Sequence, residues 1–263
     1  MTVTVTEVPG SSLWQSLTRL SRLLLLLLLA GWCLRGTGFH LHNLARGLPR
    51  LAEFFSRMVP PDTSVTKIAF DATVETLQIA LLGTLLSGLA SFPLGLMAAV
   101  NLAPRWLYQP AKWLLAILRA VPMILLALMF VSAVGLGPFP GVLAVAVHST
   151  GMLGKFYAEA FEGARRGPLE ALDSAGASWL QKVRFGVLPQ VSPELARDTL
   201  FRFELNLRES LALGLVGAGG IGFYIQLYVR AFQYEKVATL SLVILVMVVL
   251  IEQASIVIRR QLR

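Results

Sequence analysis

Gly167–Gln190 reads GPLEALDSAGASWLQKVRFGVLPQ, and this stretch decides how the rest of the chain is understood. It is polar and competent to form helix, yet it lies between long apolar runs, so it belongs on a membrane surface rather than inside the membrane. Gly167-Pro168 is a helix start signal, because proline in the first turn loses no intrahelical bond. The run Ser174-Ala175-Gly176-Ala177-Ser178 predicts a helix face with little side-chain bulk, where another protein could approach the backbone closely. Leu188-Pro189 is expected to close a second short helical segment. An ordinary loop helix is the plain alternative, and the surrounding composition argues against it.

Hydrophobic residues make up 56% of the 263 positions and charged residues 14%, against roughly 45–50% and about 25% in soluble domains. The mean hydropathy of +0.68 points the same way. Several mostly apolar runs are long enough to cross a bilayer as helices, so the expected class is an all-α integral membrane protein. The net charge of +8 would suit a nucleic-acid partner. The basic residues are instead spread along connecting loops, which membrane topology explains and nucleic-acid binding does not. The single cysteine, Cys33, excludes an internal disulfide and a cysteine metal site, and its apolar surroundings predict inert packing.

Six spans are the economical count. The first is centred on Leu23–Leu34, and the others run roughly over Thr73–Val100, Trp113–Val134, Val142–Ala160, Thr199–Val216 and Val237–Ile258. Leu23–Leu29 behind Arg19 and Arg22 has the form of a signal peptide, but no clear small-x-small cleavage site follows, which favours a retained anchor. The division expected is 1–72 for the anchor and an external loop, 73–258 for the transmembrane domain with its connecting loop at about 161–198, and 259–263 for a tail. Within the external loop, Leu51–Met58 is a candidate interfacial helix. Gly83, Gly88, Pro93 and Gly95, with Pro122 further on, suit close helix packing and local kinks. With the amino terminus inside, Arg105, Lys112, Lys155, Arg165, Arg166, Lys182, Arg184, Arg197, Arg259, Arg260 and Arg263 join Arg19 and Arg22 on the cytoplasmic side. They outnumber the external cations, five of which crowd the first loop, and the bias puts both termini in the cytoplasm.

Charges inside spans are costly and usually face a bundle interior or a watery cavity. Arg119 lies in the third span, and the fifth opens with Arg202, Glu204, Asn206, Arg208 and Glu209. Glu204 and Arg208 stand four apart, the favourable order for a helical ion pair, while Arg202, Asn206 and Glu209 share a face. Two readings stay open: these residues line a path for an anionic solute, or they form a salt-bridge network bracing helix ends. Gly217-Ala-Gly219-Gly220-Ile-Gly222 matches the dinucleotide fingerprint, but no strand precedes it, so an external glycine turn is expected instead. Gly154-Lys155 fails as a phosphate loop because Phe156 replaces the hydroxyl residue. The chain therefore shows no nucleotide site and no catalytic set. His40, His42 and His148 are too scattered for a metal, and His148 is expected to be a buried hydrogen-bonding residue.

In the polar connecting segment, the order Glu170-Ala171-Leu172, Gly176, then Leu188-Pro189 resembles the coupling loop of ABC importer permeases. From about Asp71 onward the landmarks are similar to the permease subunit of phosphonate and phosphite importers. They are Leu118-Arg119-Ala120-Val121-Pro122, Val134-Gly135-Leu136-Gly137-Pro138-Phe139, His148-Ser149-Thr150-Gly151, Gly186-Val187-Leu188-Pro189-Gln190 and Arg202-Phe203-Glu204. Met123 departs from that pattern, since an acidic residue often stands there. The resemblance implies a type I importer permease fold in the bacterial inner membrane, with no cofactor on this chain. It implies a second copy of the chain, a cytoplasmic ATPase dimer carrying ATP and magnesium, and a periplasmic substrate-binding protein. Glu170, Ala171, Gly176, Leu188 and Pro189 are then the residues expected to meet the ATPase. A secondary transporter and a membrane enzyme are the competing classes; the coupling loop argues against the first, and the lack of a convergent reactive set against the second.

Overall fold

The computed structural model describes residues 11–261, and within them every regular element is helical. The chain divides into two units between Ser56 and Arg57. In the first, α1 (Ser11–Gly36) contains an apolar stretch long enough to cross a membrane, Trp14–Gly36. The leucines of Trp14–Gly36 are exposed, and so is Cys33. The second helix, α2 (Leu41–Ser56), starts well before the interfacial helix expected at Leu51. It places exposed Leu44, Leu48, Leu51 and Phe55 at three- and four-residue spacing, the pattern of one apolar stripe.

The second unit is a helical bundle organised around two long helices, α3 (Thr66–Ala98) and α6 (Pro138–Glu162). Their contact follows from side-chain size. On α3, Thr76, Ala80, Gly83, Ser87, Ser91, Gly95 and Ala98 recur every three or four residues, and all are buried. Small residues at that spacing let two backbones approach closely, as at helix contacts in membranes. A Cβ at Gly95 would lie 2.8 Å from Tyr157 Cβ, so the approach depends on the missing side chain. Pro93 sits inside α3 without ending it.

The third span departs from the expected single helix. It consists of α4 (Arg105–Ala120) and α5 (Met123–Val134), bent by 83° at Val121-Pro122. Proline removes a ladder donor and disfavours helical geometry at the residue before it, so the break falls where the sequence places it. The seventh and eighth helices are short, α7 (Arg166–Ser174) and α8 (Trp179–Gln181). A π-helical turn over Lys182–Val187 leads into α9 (Leu188–Gly214). Two more helices follow, α10 (Ile221–Arg230) and α11 (Tyr234–Gln261).

Helix α10 lies in what the sequence presented as an external loop. Helix α11 runs through Arg259 and Arg260, which were expected to start a separate tail. By length and apolarity, Trp14–Gly36, Thr63–Ala98 and Tyr234–Gln261 qualify as spans among the described residues, with the bent α4–α5 pair as a fourth. Helices α6 and α9 have the length but carry the polar residues of the bundle interior. Internal contacts define two ends. Gly137 N donates to Gly217 O (3.0 Å) and Asp62 N to Glu235 O (3.2 Å) at one end. Val100 N donates to Glu162 Oε1 (3.0 Å) at the other.

Candidate functional site

The connecting segment begins as expected and then departs from expectation. Pro168 lies in the first turn of α7, where its absent N–H costs no helical bond. Gly176, however, is not on a helix face. It follows the end of α7 with φ +73°, donating to Asp173 O (3.0 Å), while Ala177 N donates to Leu172 O (2.9 Å). That paired pattern is a Schellman cap, which calls for a left-handed residue at this position. The chain then restarts at Ser178, whose capping box with Gln181 nucleates α8. Leu188-Pro189 opens α9 rather than closing a helix, because proline is accepted in a first turn.

Glu170, Ala171, Gly176 and Pro189 are exposed on this segment, whereas Leu188 packs into the bundle. The segment is tied down from beneath. Gly186 is buried, and a Cβ there would lie 2.9 Å from Leu169 Cδ2 and 3.0 Å from Leu172 Cδ1. The glycine is thus what allows the apolar side of α7 to lie against the π-helical turn. Val183, Val187 and Val191 continue into a cluster with Leu96, Leu153, Tyr157 and Phe161, which joins the segment to α3 and α6. Trp179 Nε1 donates to Leu102 O (2.9 Å) in the α3–α4 connection, and Lys182 Nζ pairs with Asp173 Oδ1 (2.7 Å). The segment is thereby packed against α3, α6 and α9.

Midway along the bundle, a polar seam joins α3, α6 and α9. Asn206 Nδ2 donates to Thr84 Oγ1 (2.8 Å), and Ser149 Oγ donates to Asn206 Oδ1 (2.7 Å). Arg202 Nε donates to Ser149 Oγ (3.0 Å), and its Nη2 pairs with Glu209 Oε2 (2.9 Å). The Arg202 side chain is 1% exposed. The shared face of Arg202, Asn206 and Glu209 is therefore real, and within this chain Arg202 binds Ser149 and Glu209.

The expected Glu204–Arg208 pair does not form. Glu204 Oε1 accepts from Arg259 Nη2 on α11 (2.6 Å), and Arg208 Nη2 reaches Glu252 Oε2 (3.4 Å) on the same helix. Successive turns of α9 each have a partner across the groove, and these partners outcompete the intrahelical one. Thr84, Ser149, Glu252 and Arg259 complete these contacts, and none was singled out for such a role from sequence. Each sits far along the chain from its partner, where no local pattern announces it.

Arg119 stands apart from the seam. It occupies the last turn of α4, where Gly151 of α6 lets the backbone come close: a Cβ at Gly151 would lie 2.8 Å from Arg119 N. Its Nε is buried without a partner. One turn on, the Nδ1–H of His148 faces the Val121 carbonyl (3.1 Å), an acceptor at the α4–α5 break, so His148 is the hydrogen-bonding residue expected.

At the opposite end, Gly217, Gly219 and Gly220 have φ of +83°, +80° and +75°, which explains the glycine run as a turn rather than a nucleotide loop. Glu75 Oε1 accepts from Gly220 N (3.1 Å) and Thr76 Oγ1 from Ile221 N (2.9 Å), so α3 caps the start of α10. Gly222 lies within α10, against the Leu211 carbonyl, where no side chain fits.

Residues 91–262 match the family model of the binding-protein-dependent transport system inner membrane component. The phosphite transport system permease protein PtxC of Stutzerimonas stutzeri is 39% identical over 258 residues, 97% of this chain and 92% of that protein. The putative phosphite transport system permease protein HtxC of the same organism is 42% identical over 81% of this chain and 76% of its own length. Among solved structures, an inward-facing MetNI methionine ABC transporter superposes with a TM-score of 0.68 at 21% identity, covering 77% of this chain and 99% of that one. That likeness concerns the fold alone. The chain belongs to the family of binding-protein-dependent transport system inner membrane components.

Proposed function

We propose that this chain forms the translocation path of an ATP-driven importer for phosphite or a phosphonate-like oxyanion. The observation that carries the reading is the 39% identity to a phosphite transport permease across 97% of the chain. Two copies, or this chain with a related permease, stand in the bacterial inner membrane with both termini in the cytoplasm. A separate ATPase dimer holds ATP and magnesium, and a periplasmic binding protein delivers the solute. The exposed face of α7 is where the ATPase docks, with Glu170 and Ala171 outward. Closure of the ATPase pair pushes on α7, and the apolar cluster beneath it passes the motion to α3, α6 and α9. The polar seam keeps those helices in register as they move, which is a bracing role for Arg202, Asn206 and Glu209. Arg119 is the arginine free to meet the anion, through charge-assisted hydrogen bonds.

The test is uptake by vesicles holding the permease, its ATPase and its binding protein. Radiolabelled phosphite or methylphosphonate should accumulate only with ATP, and methionine should not. Accumulation of methionine but neither phosphorus anion would overturn the substrate class and leave the permease reading standing.

A further inference from the structure

Of the five arginines in α4 and α9, Arg202 is matched to Glu209 and Arg208 to Glu252, while Arg105 and Arg197 are exposed. Arg119 has no carboxylate partner among the described residues, and its buried Nε–H donates to nothing. It lines a cavity of about 210 Å³ between α4 and α6, together with Lys112, Lys155, Glu159, Glu162 and Leu115. The charges around this cavity do not cancel. Lys112 Nζ pairs with Glu162 Oε1 at 3.1 Å and Lys155 Nζ with Glu159 Oε1 at 3.3 Å, so each carboxylate already has its cation. Arg119 is the positive charge left over. The volume is roughly that of seven waters at about 30 Å³ each, enough for a small tetrahedral ion with part of its hydration shell.

We propose that this cavity is a binding site for a phosphorus oxyanion, held by Arg119 and flanked by Lys112 and Lys155, separate from the seam at Arg202. The choice of a phosphorus anion rests on the substrate reading above; the cationic site itself does not. The planar guanidinium of Arg119 lines the cavity and carries N–H groups in the fork geometry that matches two oxygens of such an ion, and the lysines add point charges at its rim. The site has a consequence for the bundle. Glu162, which Lys112 neutralises, also accepts Val100 N at 3.0 Å in the α3–α4 connection, and that connection receives Trp179 through Leu102 O. An anion that draws Lys112 away from Glu162 therefore acts beside the same connection that the coupling segment grips. This places the site at the coupling end of the bundle, where a solute leaves or an accumulated anion reports back.

The same chemistry would fit a lipid phosphate, and the experiment separates the two sources. The full-length permease is placed in nanodiscs of phosphatidylcholine, without ATP or binding protein, and titrated with phosphite and with inorganic phosphate by ³¹P line broadening. Saturable binding is expected, weakened about tenfold by Arg119→Gln and severalfold by Lys155→Gln. Lys155 is exposed and pairs only along its own helix, so its variant keeps the fold if the arginine variant does not. Arg208→Gln should leave the affinity unchanged. In a second arm, discs doped with phosphatidylglycerol are analysed by native mass spectrometry. Phosphatidylglycerol retained by the wild type and lost from Arg119→Gln, with no binding of the free ions, would assign the site to a headgroup. If neither the free ions nor the lipid depends on Arg119 or Lys155, the site does not exist. Vesicle uptake is scored independently: Arg119-dependent binding with no phosphite uptake would overturn the transport reading and retain the site.

Discussion

The Arg166–Val187 segment and the seam across α3, α6 and α9 both hold helices together, the first by apolar packing around a glycine and the second by hydrogen bonds around an arginine. The difference lies in what each can tolerate. Apolar packing is graded: a side chain slightly too large shifts its neighbours and weakens the contact. A buried polar network is closer to all or nothing, because removing one member strands the others away from water. A permease needs both responses. On the proposed function, the segment that would receive a push is the densely packed one, and the seam is the part that would keep its helices in register.

The largest loss should come from the seam. Arg202→Ala removes a side chain that is 1% exposed and strands its partners Ser149 and Glu209. Breaking a buried pair costs about 3–5 kcal/mol, and Glu209, at 40% exposure, puts this one at the lower end. Thermal unfolding in detergent should show a large fall in midpoint with little folded protein recovered. Glu209→Gln should cost visibly less, since its carboxylate is partly solvated and an amide oxygen still accepts. Equal effects from the two variants would mean that the seam is not organised around Arg202.

Gly186 comes next and probes the other region. Gly186→Leu overfills the contact with Leu169 and Leu172, a change costing about 1–3 kcal/mol. The membrane helices do not depend on that contact, so the chain should still insert and the seam should stay intact. ATP-driven uptake should fall sharply and ATPase activity should no longer respond to solute. Gly186→Ala should give an intermediate phenotype. Normal uptake with Gly186→Leu would show that α7 need not lie against the π-helical turn to transmit force.

How much of this was readable in the sequence follows from the range of the interactions. Local ones were plain: Pro168 starting α7, Pro122 breaking the third span, and the glycines of the turn at Gly217–Gly222 all act on their own backbone. The partners of α9 were not. Glu204 and Arg208 have an attractive local arrangement, and only the arrival of α11 provides Arg259 and Glu252 instead. Spacing marks Gly176 by its size, but the turn requires a left-handed dihedral there, which spacing alone does not reveal. Leu188-Pro189 reads as a stop in sequence because proline marks either end of a helix; in the structure it follows the π-helical turn and opens α9. Helix α10 is not legible in the sequence because it is short and follows a glycine run that reads as a turn.

Gly176 offers a smaller effect that tests the need for a left-handed residue at the end of α7. A residue with a Cβ pays about 1–2 kcal/mol in the left-handed region, and Gly176 has open space around it, so strain is the only penalty. Gly176→Ala should therefore destabilise the α7–α8 turn modestly, and Gly176→Asn less, since asparagine accepts that conformation more readily. Limited proteolysis at the turn reads this out. If Asn and Ala are equally harmful, bulk against a partner matters there more than the dihedral.

The smallest effects separate the two ways of pairing Glu204 and Arg208. Arg208 and Glu252 are each about half exposed at 3.4 Å, so Arg208→Ala should cost about 0–1 kcal/mol and depend on salt. Glu204 and Arg259 are closer, at 2.6 Å, with the Glu204 side chain 10% exposed, so Glu204→Gln should cost more. A double-mutant cycle on Glu204 and Arg208 should give no coupling, because neither is the other's partner, while a cycle on Glu204 and Arg259 should give a clear one. The paired reversal Glu204→Arg with Arg259→Glu should then recover folded protein that either single change loses. Recovery by Glu204→Arg with Arg208→Glu instead would return the pair to a single turn of α9, and α11 would have to be held by its apolar face alone.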